Sequence, residues 1–322
     1  MPYDKCHAAL YGGAGLTDRK VTNLAASVRQ KLLNLSRERS EAFEYVLSRY
    51  ATERLLYRIS QSQYADQFIL KGAMLFQLWS DQLHRPTRDV DLLGFGDPSP
   101  ERIAQILTEI CALEVDDDGL LFDSDSIIAQ QIKEDDEYQG IRVKLTVYLE
   151  NARVALQVDI GFGDAINPPA EEIDYPTLLD QAAPRLKSYP RETVVAEKFQ
   201  AMVMLGMANS RMKDFFDLWT LATQYEFKGE SLAKAIQATF ERRQTELPST
   251  VPLAFTAEFT EDDGKAKQWS AFLLRGNLQA ENRTLLEVAE LLSNFLMPPA
   301  SAISQDEDFG KTWKPPGPWN AG

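Results

Sequence analysis

The run Arg88-Asp89-Val90-Asp91-Leu92 carries the first chemistry legible in this chain. Residues two apart on a β-strand project from one face, so Asp89 and Asp91 stand side by side while Val90 and Leu92 turn into a core. Two close carboxylates suit a hard cation such as Mg²⁺, which takes oxygen ligands and completes its octahedron with phosphate oxygens and water. An exposed polar strand edge has the same pattern, so the pair alone decides little. Asp159 adds to it by ending a second apolar strand, with Gly161 and Gly163 after it leaving the backbone open to a ligand. Three carboxylates on adjacent strands would hold two metal ions, the arrangement that clamps the attacking and leaving oxygens of an in-line phosphoryl or nucleotidyl displacement. Asp159 is then the third ligand and the candidate base for an incoming hydroxyl. A turn aspartate ahead of Gly161-Phe162-Gly163-Asp164 is the plainer account of the same residue.

Cationic groups that could meet phosphate lie elsewhere in the chain. Lys71-Gly72, at a strand-to-helix turn, offers backbone N–H groups to an anion, and glycine permits close approach. Arg88 directly precedes the paired acids and either neutralises a triphosphate or pairs structurally with Asp97 or a neighbour. Lys198 interrupts the apolar face of Val194-Val195-Ala196-Glu197-Lys198, where an inward lysine needs a phosphate or carboxylate partner. Asp214 and Asp217 fall on one side of a helix and either orient Lys198, touch a nucleotide or form a solvated face. His84 is assigned no role, and Phe215, Phe216 and Trp219 read as core rather than as a base-stacking platform. From Arg185 to Lys213 the cations Arg185, Lys187, Arg191, Lys198, Arg211 and Lys213 form either a local basic groove or an ordinary solvated surface.

The elements that must position these groups follow from periodicity. Two amphipathic helices are predicted over residues 22 to about 60, with Ser40 capping the second. Phe68-Ile69-Leu70 reads as a strand turning at Gly72 into a helix over Ala73–Trp79, and a helix from about Pro100 to Leu113 follows the Asp91 strand. Residues 141–148 and 154–160 alternate as two strands joined by Glu150-Asn151-Ala152-Arg153, completing a mixed sheet. From about 190 onward the chain reads as mainly helical. After Met297, Pro298, Pro299, Pro315, Pro316 and Pro318 predict a largely unordered tail.

Composition sets the bounds. The 322 residues are 44% hydrophobic and 25% charged, which suits a folded chain with one large or two modest cores. A net charge of −14 argues against a general DNA coater, which needs a surplus of cations. Two cysteines and two histidines, scattered, exclude a zinc cluster of the usual spacing and a disulfide scaffold. No apolar run is long enough to span a bilayer and no signal-peptide pattern opens the chain, so the expected location is the cytoplasm with no membrane partner.

In order and spacing, Leu70-Lys71-Gly72-Ala73-Met74-Leu75, Arg85-Pro86-Thr87-Arg88-Asp89-Val90-Asp91-Leu92, Gln157-Val158-Asp159-Ile160-Gly161-Phe162-Gly163-Asp164, and Ala196-Glu197-Lys198 with Arg211-Met212-Lys213-Asp214-Phe215-Phe216-Asp217 resemble four motifs of the AbiEii/AbiGii toxin family, within the polymerase-β-like nucleotidyltransferase superfamily. The resemblance implies an α+β fold in which a small mixed β-sheet flanked by helices forms a nucleotidyltransferase core, joined to a mainly helical C-terminal portion. It divides the chain into an N-terminal helical segment (1–65), the core (66–188), a helical domain completing the active site (189–297) and the tail (298–322). It implies Mg²⁺, with Mn²⁺ as the alternative, on Asp89 and Asp91, and a share in nucleotide binding and catalysis for Lys198 and Asp214. It also implies a nucleoside triphosphate substrate, a toxin or phage-defence role, a tRNA acceptor and a winged-helix antitoxin. Two positions depart from the pattern. Ala73 stands where a hydroxyl or glycine is common, and Gln157 stands where lysine is common, so phosphate charge is expected from Lys144 or Arg142 on the paired strand. Two other readings share the residues: a non-catalytic nucleotide-binding module, and a phosphohydrolase directing the carboxylates at water. The intact motif set favours transfer.

Overall fold

The structure, a computed structural model, describes residues 23–80, 84–87, 89–135, 138–278 and 283–321. Arg88 lies outside them. Helices α1 (Leu24–Glu38) and α2 (Phe43–Gln61) lead into strand β1 (Phe68–Lys71), a 3₁₀ turn over Gly72–Leu75 and the short helix α3 (Phe76–Trp79). Strand β2 (Asp89–Gly94) and helix α4 (Pro100–Cys111) follow, then strands β3 (Leu120–Asp135), β4 (Tyr138–Leu149), β5 (Ala152–Phe162), β6 (Glu171–Asp174) and β7 (Arg185–Ser188). The remainder comprises α5 (Arg191–Leu205), α6 (Met212–Gln224), β8 (Phe227–Lys228), α7 (Gly229–Arg242), α8 (Ala257–Thr260), α9 (Asp263–Gly276), α10 (Leu285–Ser304), β9 (Lys311–Trp313) and β10 (Trp319–Ala321).

Strands β1 to β7 form one mixed sheet in the order β3-β4-β5-β2-β1-β7-β6. The pairs β2·β5 and β1·β7 are parallel, and the rest are antiparallel. Alternation is what buries one face: Ile141, Val143, Leu145, Val147 and Leu149 of β4 are all buried, as are Val90 and Leu92 of β2. The α+β class and the helical C-terminal half are therefore as the sequence implies. Strand β3 was not foreseen, because its Asp123-Ser124-Asp125-Ser126 stretch masks the alternation and coincides with a break in the β3·β4 register.

Two local expectations are corrected. Ser40 does not cap α2. It sits at φ 54° in the turn, and the position before the helix is Ala42, with no side-chain cap. Nor is α2 amphipathic in its second half, where Tyr50 to Ile59 are all buried, charges included. The burial is tolerable because Arg58 donates to both oxygens of Asp118 at 2.5 and 3.2 Å, and Arg54 reaches the same carboxylate at 3.4 Å.

The expected unordered tail is ordered. Pro298 and Pro299 lie inside α10, and β9 and β10 join β8 in a second, three-stranded antiparallel sheet. Proline in a helix interior lacks the N–H that would bond the carbonyl four residues back. For Pro299 that carbonyl belongs to Phe295, and the Trp319 indole donates to it at 3.0 Å. Trp313, 1% exposed, donates to the Ala222 carbonyl at the end of α6 at 2.7 Å. Proline content signalled a break, but Trp319 supplies the missing donor, and it and Trp313 pack against the Phe295 ring.

Candidate active site

A cleft of about 1120 Å³ separates the sheet from the C-terminal helices. On its floor are Asp89 and Asp91 of β2 and Asp159 of β5, and the turn residues Lys71, Gly72 and Ala73 border them. The opposite wall presents Glu197 and Lys198 of α5, Arg211, Lys213 and Asp214 around the start of α6, and Arg242 and Arg243 at the end of α7. Strand pairing sets the floor. Asp91 is in register with Lys71 on one side and Asp159 on the other, and Asp159 with Arg142, so four charged residues form one row across β1, β2, β5 and β4.

The floor is closely packed. Gly72 adopts φ 76°, and a Cβ there would fall on the Asp91 carboxylate. Glycine is thus demanded first by the neighbouring aspartate and by the backbone angle, rather than by a phosphate. The helix expected from Ala73 begins instead as the 3₁₀ turn, and Ala73 itself is buried. The Lys71 ammonium is turned toward Asp164, at 2.8 Å, and lies 3.8 Å from Glu197. Arg243 bonds the other Asp164 oxygen at 3.0 Å and approaches Glu197 at 3.5 Å, while Arg242 donates to the Gly163 carbonyl. These contacts tie the Gly161–Asp164 bend to the helical wall. Burial pushes the Glu197 carboxyl up to about 7, opposed by Lys71 and reinforced by Asp164.

Asp159 is 8% exposed and takes both bonds of an arginine fork: Nε of Arg142 to Oδ1 and Nη2 to Oδ2, each 2.8 Å, with the Gln157 amide at 3.2 Å from Oδ2. The expectation of a three-carboxylate metal site is not matched by this geometry. Among the described residues no group of three acidic, histidine or cysteine side chains is arranged to hold a metal. Lys144 is exposed, lies opposite Gln157 and does not line the cleft. The reason is the hairpin. A four-residue turn over 150–153 would put Lys144 opposite Asp159, whereas the actual two-residue turn, Glu150-Asn151 with Glu150 at φ 51°, puts Arg142 there.

Under the helical wall lies a second charged group. Lys198 Nζ is 2.6 Å from Asp214 and 2.8 Å from Asp217. Asp217 also takes two bonds from Arg85, at 2.7 and 2.9 Å, and contacts His84 Nε2 at 2.7 Å, and Asp214 is reached by Arg211 at 2.9 Å. Burial alone would raise both carboxyls, but Lys198 outweighs it with Arg211 for Asp214 and with Arg85 for Asp217, so both lie below the usual range, Asp217 well below. His84, given no role from sequence, stacks on Phe76 with ring centroids 3.7 Å apart, and burial lowers it despite Asp217. Phe215, Phe216 and Trp219 are core.

The Arg185–Lys213 stretch is not one groove. Lys198, Arg211 and Lys213 line the cleft, but Arg185 and Lys187 pair with Glu172 and Asp66 on exposed surface, and Arg191 stacks over Tyr225. Arg85, Arg142, Arg242 and Arg243 complete the cationic lining instead. Proximity to the motifs signalled the first two, and nothing in the local sequence signalled the others.

Paired strand aspartates thus face a cation-lined cleft on a mixed sheet. The chain belongs to the nucleotidyl transferase AbiEii toxin family of type IV toxin–antitoxin systems, whose model matches residues 54–291, and it is a nucleotidyltransferase. Nothing among curated proteins matches it. Two crystal structures from Helicobacter pylori are similar. One, of a protein proposed to be a nucleotidyltransferase, is 15% identical with a TM-score of 0.49, covering 83% of this chain and 100% of its own. The other, of JHP933, is 14% identical with a TM-score of 0.43, covering 89% and 92%. Among the described residues no helix is long and apolar enough to cross a membrane.

Proposed function

We propose that this cleft transfers a nucleoside monophosphate from a nucleoside triphosphate to an acceptor hydroxyl on tRNA, releasing pyrophosphate, and that the protein acts in the cytoplasm as a toxin restrained by a winged-helix antitoxin. The observation that carries the transfer reading is the adjacency of Asp89 and Asp91, on one face of β2, to a wall bearing Lys198, Arg211, Lys213, Arg242 and Arg243. Asp89 is exposed and Asp91 half-buried, which fits one hard cation that keeps phosphate and water in its shell. Mg²⁺, or Mn²⁺ in its place, would be held by these two residues and would neutralise charge developing on the phosphates.

The chain's own groups do the remaining work. Lys198, fixed by Asp214 and Asp217, presents a positioned positive charge to the nucleotide without having to be ordered at the moment of reaction. Arg211, held by Asp214, and Lys213 border the same wall and contribute to the field that draws in a polyphosphate. The Gly161–Asp164 bend, tied to α7 through Arg242 and Arg243, keeps sheet and wall in fixed relation.

The test is incubation of the purified protein with each labelled nucleoside triphosphate, Mg²⁺ or Mn²⁺, and total tRNA. Labelled RNA and pyrophosphate are the expected products. Nucleotide binding without pyrophosphate would mean a non-catalytic module, and monophosphate or orthophosphate without an acceptor would mean a hydrolase. In cells, Asp89→Asn and Asp91→Asn should each remove toxicity.

A further inference from the structure

We propose that Arg142 is a phosphate-binding residue of the cleft and that Asp159 positions its guanidinium instead of holding a metal ion. The inference rests on reading the cleft as a nucleotide site, and its ligand is the polyphosphate of that nucleotide. Three donors converge on the Asp159 carboxylate: two from the Arg142 fork at 2.8 Å and the Gln157 amide at 3.2 Å. A cation placed on those oxygens would have to break a parallel, two-bond arginine–carboxylate pair. It would also leave a guanidinium beside the ion, where like charges repel. The carboxylate's surroundings are those of an arginine anchor.

Arginine's planar head carries five N–H donors, and Asp159 uses the edge formed by Nε and Nη2. The Arg142 side chain keeps 34% of its surface exposed on the cleft floor, whereas the Asp159 side chain keeps 11%. The buried partner therefore fixes the head, and the exposed partner meets the ligand. A guanidinium already held along one edge loses little rotamer freedom on gripping an anion, and its geometry matches phosphate oxygens. Strand register adds direction, since Arg142 stands at the β4 end of the row that also contains Asp91. A polyphosphate bound near Asp89 and Asp91 thus has a positioned cation on that side of the floor, opposite Lys198 on the wall.

The experiment measures two equilibria on the full chain: inorganic triphosphate binding in EDTA, and Mn²⁺ binding without nucleotide. Arg142→Gln and Asp159→Asn should each weaken triphosphate binding by about tenfold or more, the loss of a charge-assisted contact. The double variant should be no weaker than the worse single, and Arg142→Lys should fall between wild type and Arg142→Gln. Mn²⁺ binding should survive Asp159→Asn and fail in Asp91→Asn. Arg142→Gln, on the exposed partner, decides the matter even if Asp159→Asn does not fold. Unchanged triphosphate binding in Arg142→Gln overturns the inference, as does Mn²⁺ loss in Asp159→Asn equal to that in Asp91→Asn. Arg142-dependent triphosphate binding by a protein that transfers no nucleotide supports this inference while removing the function proposed above. Nucleotide transfer with Arg142-independent triphosphate binding does the reverse.

Discussion

The floor of the cleft and the charged group under its helical wall use the same ingredients and put them to different ends. On the floor, Asp89 is exposed, Asp91 half-buried and Arg142 one-third exposed, so these charges face a space large enough for a nucleotide. Beneath the wall, Asp217 is 0% exposed and is met by Lys198, Arg85 and His84 within 3 Å. Taking ions out of water costs several kcal/mol each, so the buried set persists only because its members satisfy one another. Exposure, not residue type, separates groups available to a ligand from groups that hold the scaffold and aim Lys198.

The comparison can be broken most sharply at Asp217. Asp217→Ala leaves Arg85, Lys198 and His84 facing an empty site and should cost about 3–5 kcal/mol of stability, read in denaturant unfolding. Asp89→Asn, on the exposed floor, should change stability by no more than about 0.5 kcal/mol while abolishing transfer. Equal destabilisation by the two variants would erase the distinction.

Gly72→Ala comes next. It forces alanine into φ 76° and a methyl onto the Asp91 carboxylate, so a loss of about 1–3 kcal/mol is expected together with loss of Mn²⁺ binding. Stability loss with intact Mn²⁺ binding would show that Asp91 can shift without consequence.

The pH dependence should separate the regions by sign. Asp214 and Asp217 lie below their unfolded values, so their stabilisation is complete above about pH 4 and is lost as pH falls through the folded values. Glu197, pushed up to about 7 by burial, binds a proton in the folded state that the unfolded chain has released, so stability falls as pH rises from about 4.5 to about 7. Melting temperature across pH should therefore show opposite slopes in the two windows. Asp217→Asn should flatten the acid limb and Glu197→Gln the upper one. A Glu197→Gln profile that parallels wild type would mean that Glu197 does not set the upper limb.

The smallest effect is expected at Lys144. Lys144→Ala should leave both stability and triphosphate binding within about 0.5 kcal/mol of wild type, because the side chain is exposed and outside the cleft.

What the sequence determined by itself was largely local and periodic. Alternation placed Asp89 and Asp91 on one strand face and buried Val90 and Leu92, because the period of a strand is fixed by backbone geometry. The inward position of Lys198 was legible for a similar reason: a charge set into an apolar helix face needs a carboxylate, and Asp214 and Asp217 supply two. Only tertiary structure decided what pairs across distance. One turn-length difference at Glu150-Asn151 moved Asp159's partner from Lys144 to Arg142, since register carries a shift of two residues along the whole hairpin. Arg242 and Arg243 reach the cleft only because α7 packs against α5, and Pro299 is tolerated where Trp319, 24 residues beyond Phe295, returns a donor to the Phe295 carbonyl. The shared face of the paired aspartates was legible because their spacing is a backbone property, whereas the surrounding cations depend on contacts that no local pattern encodes.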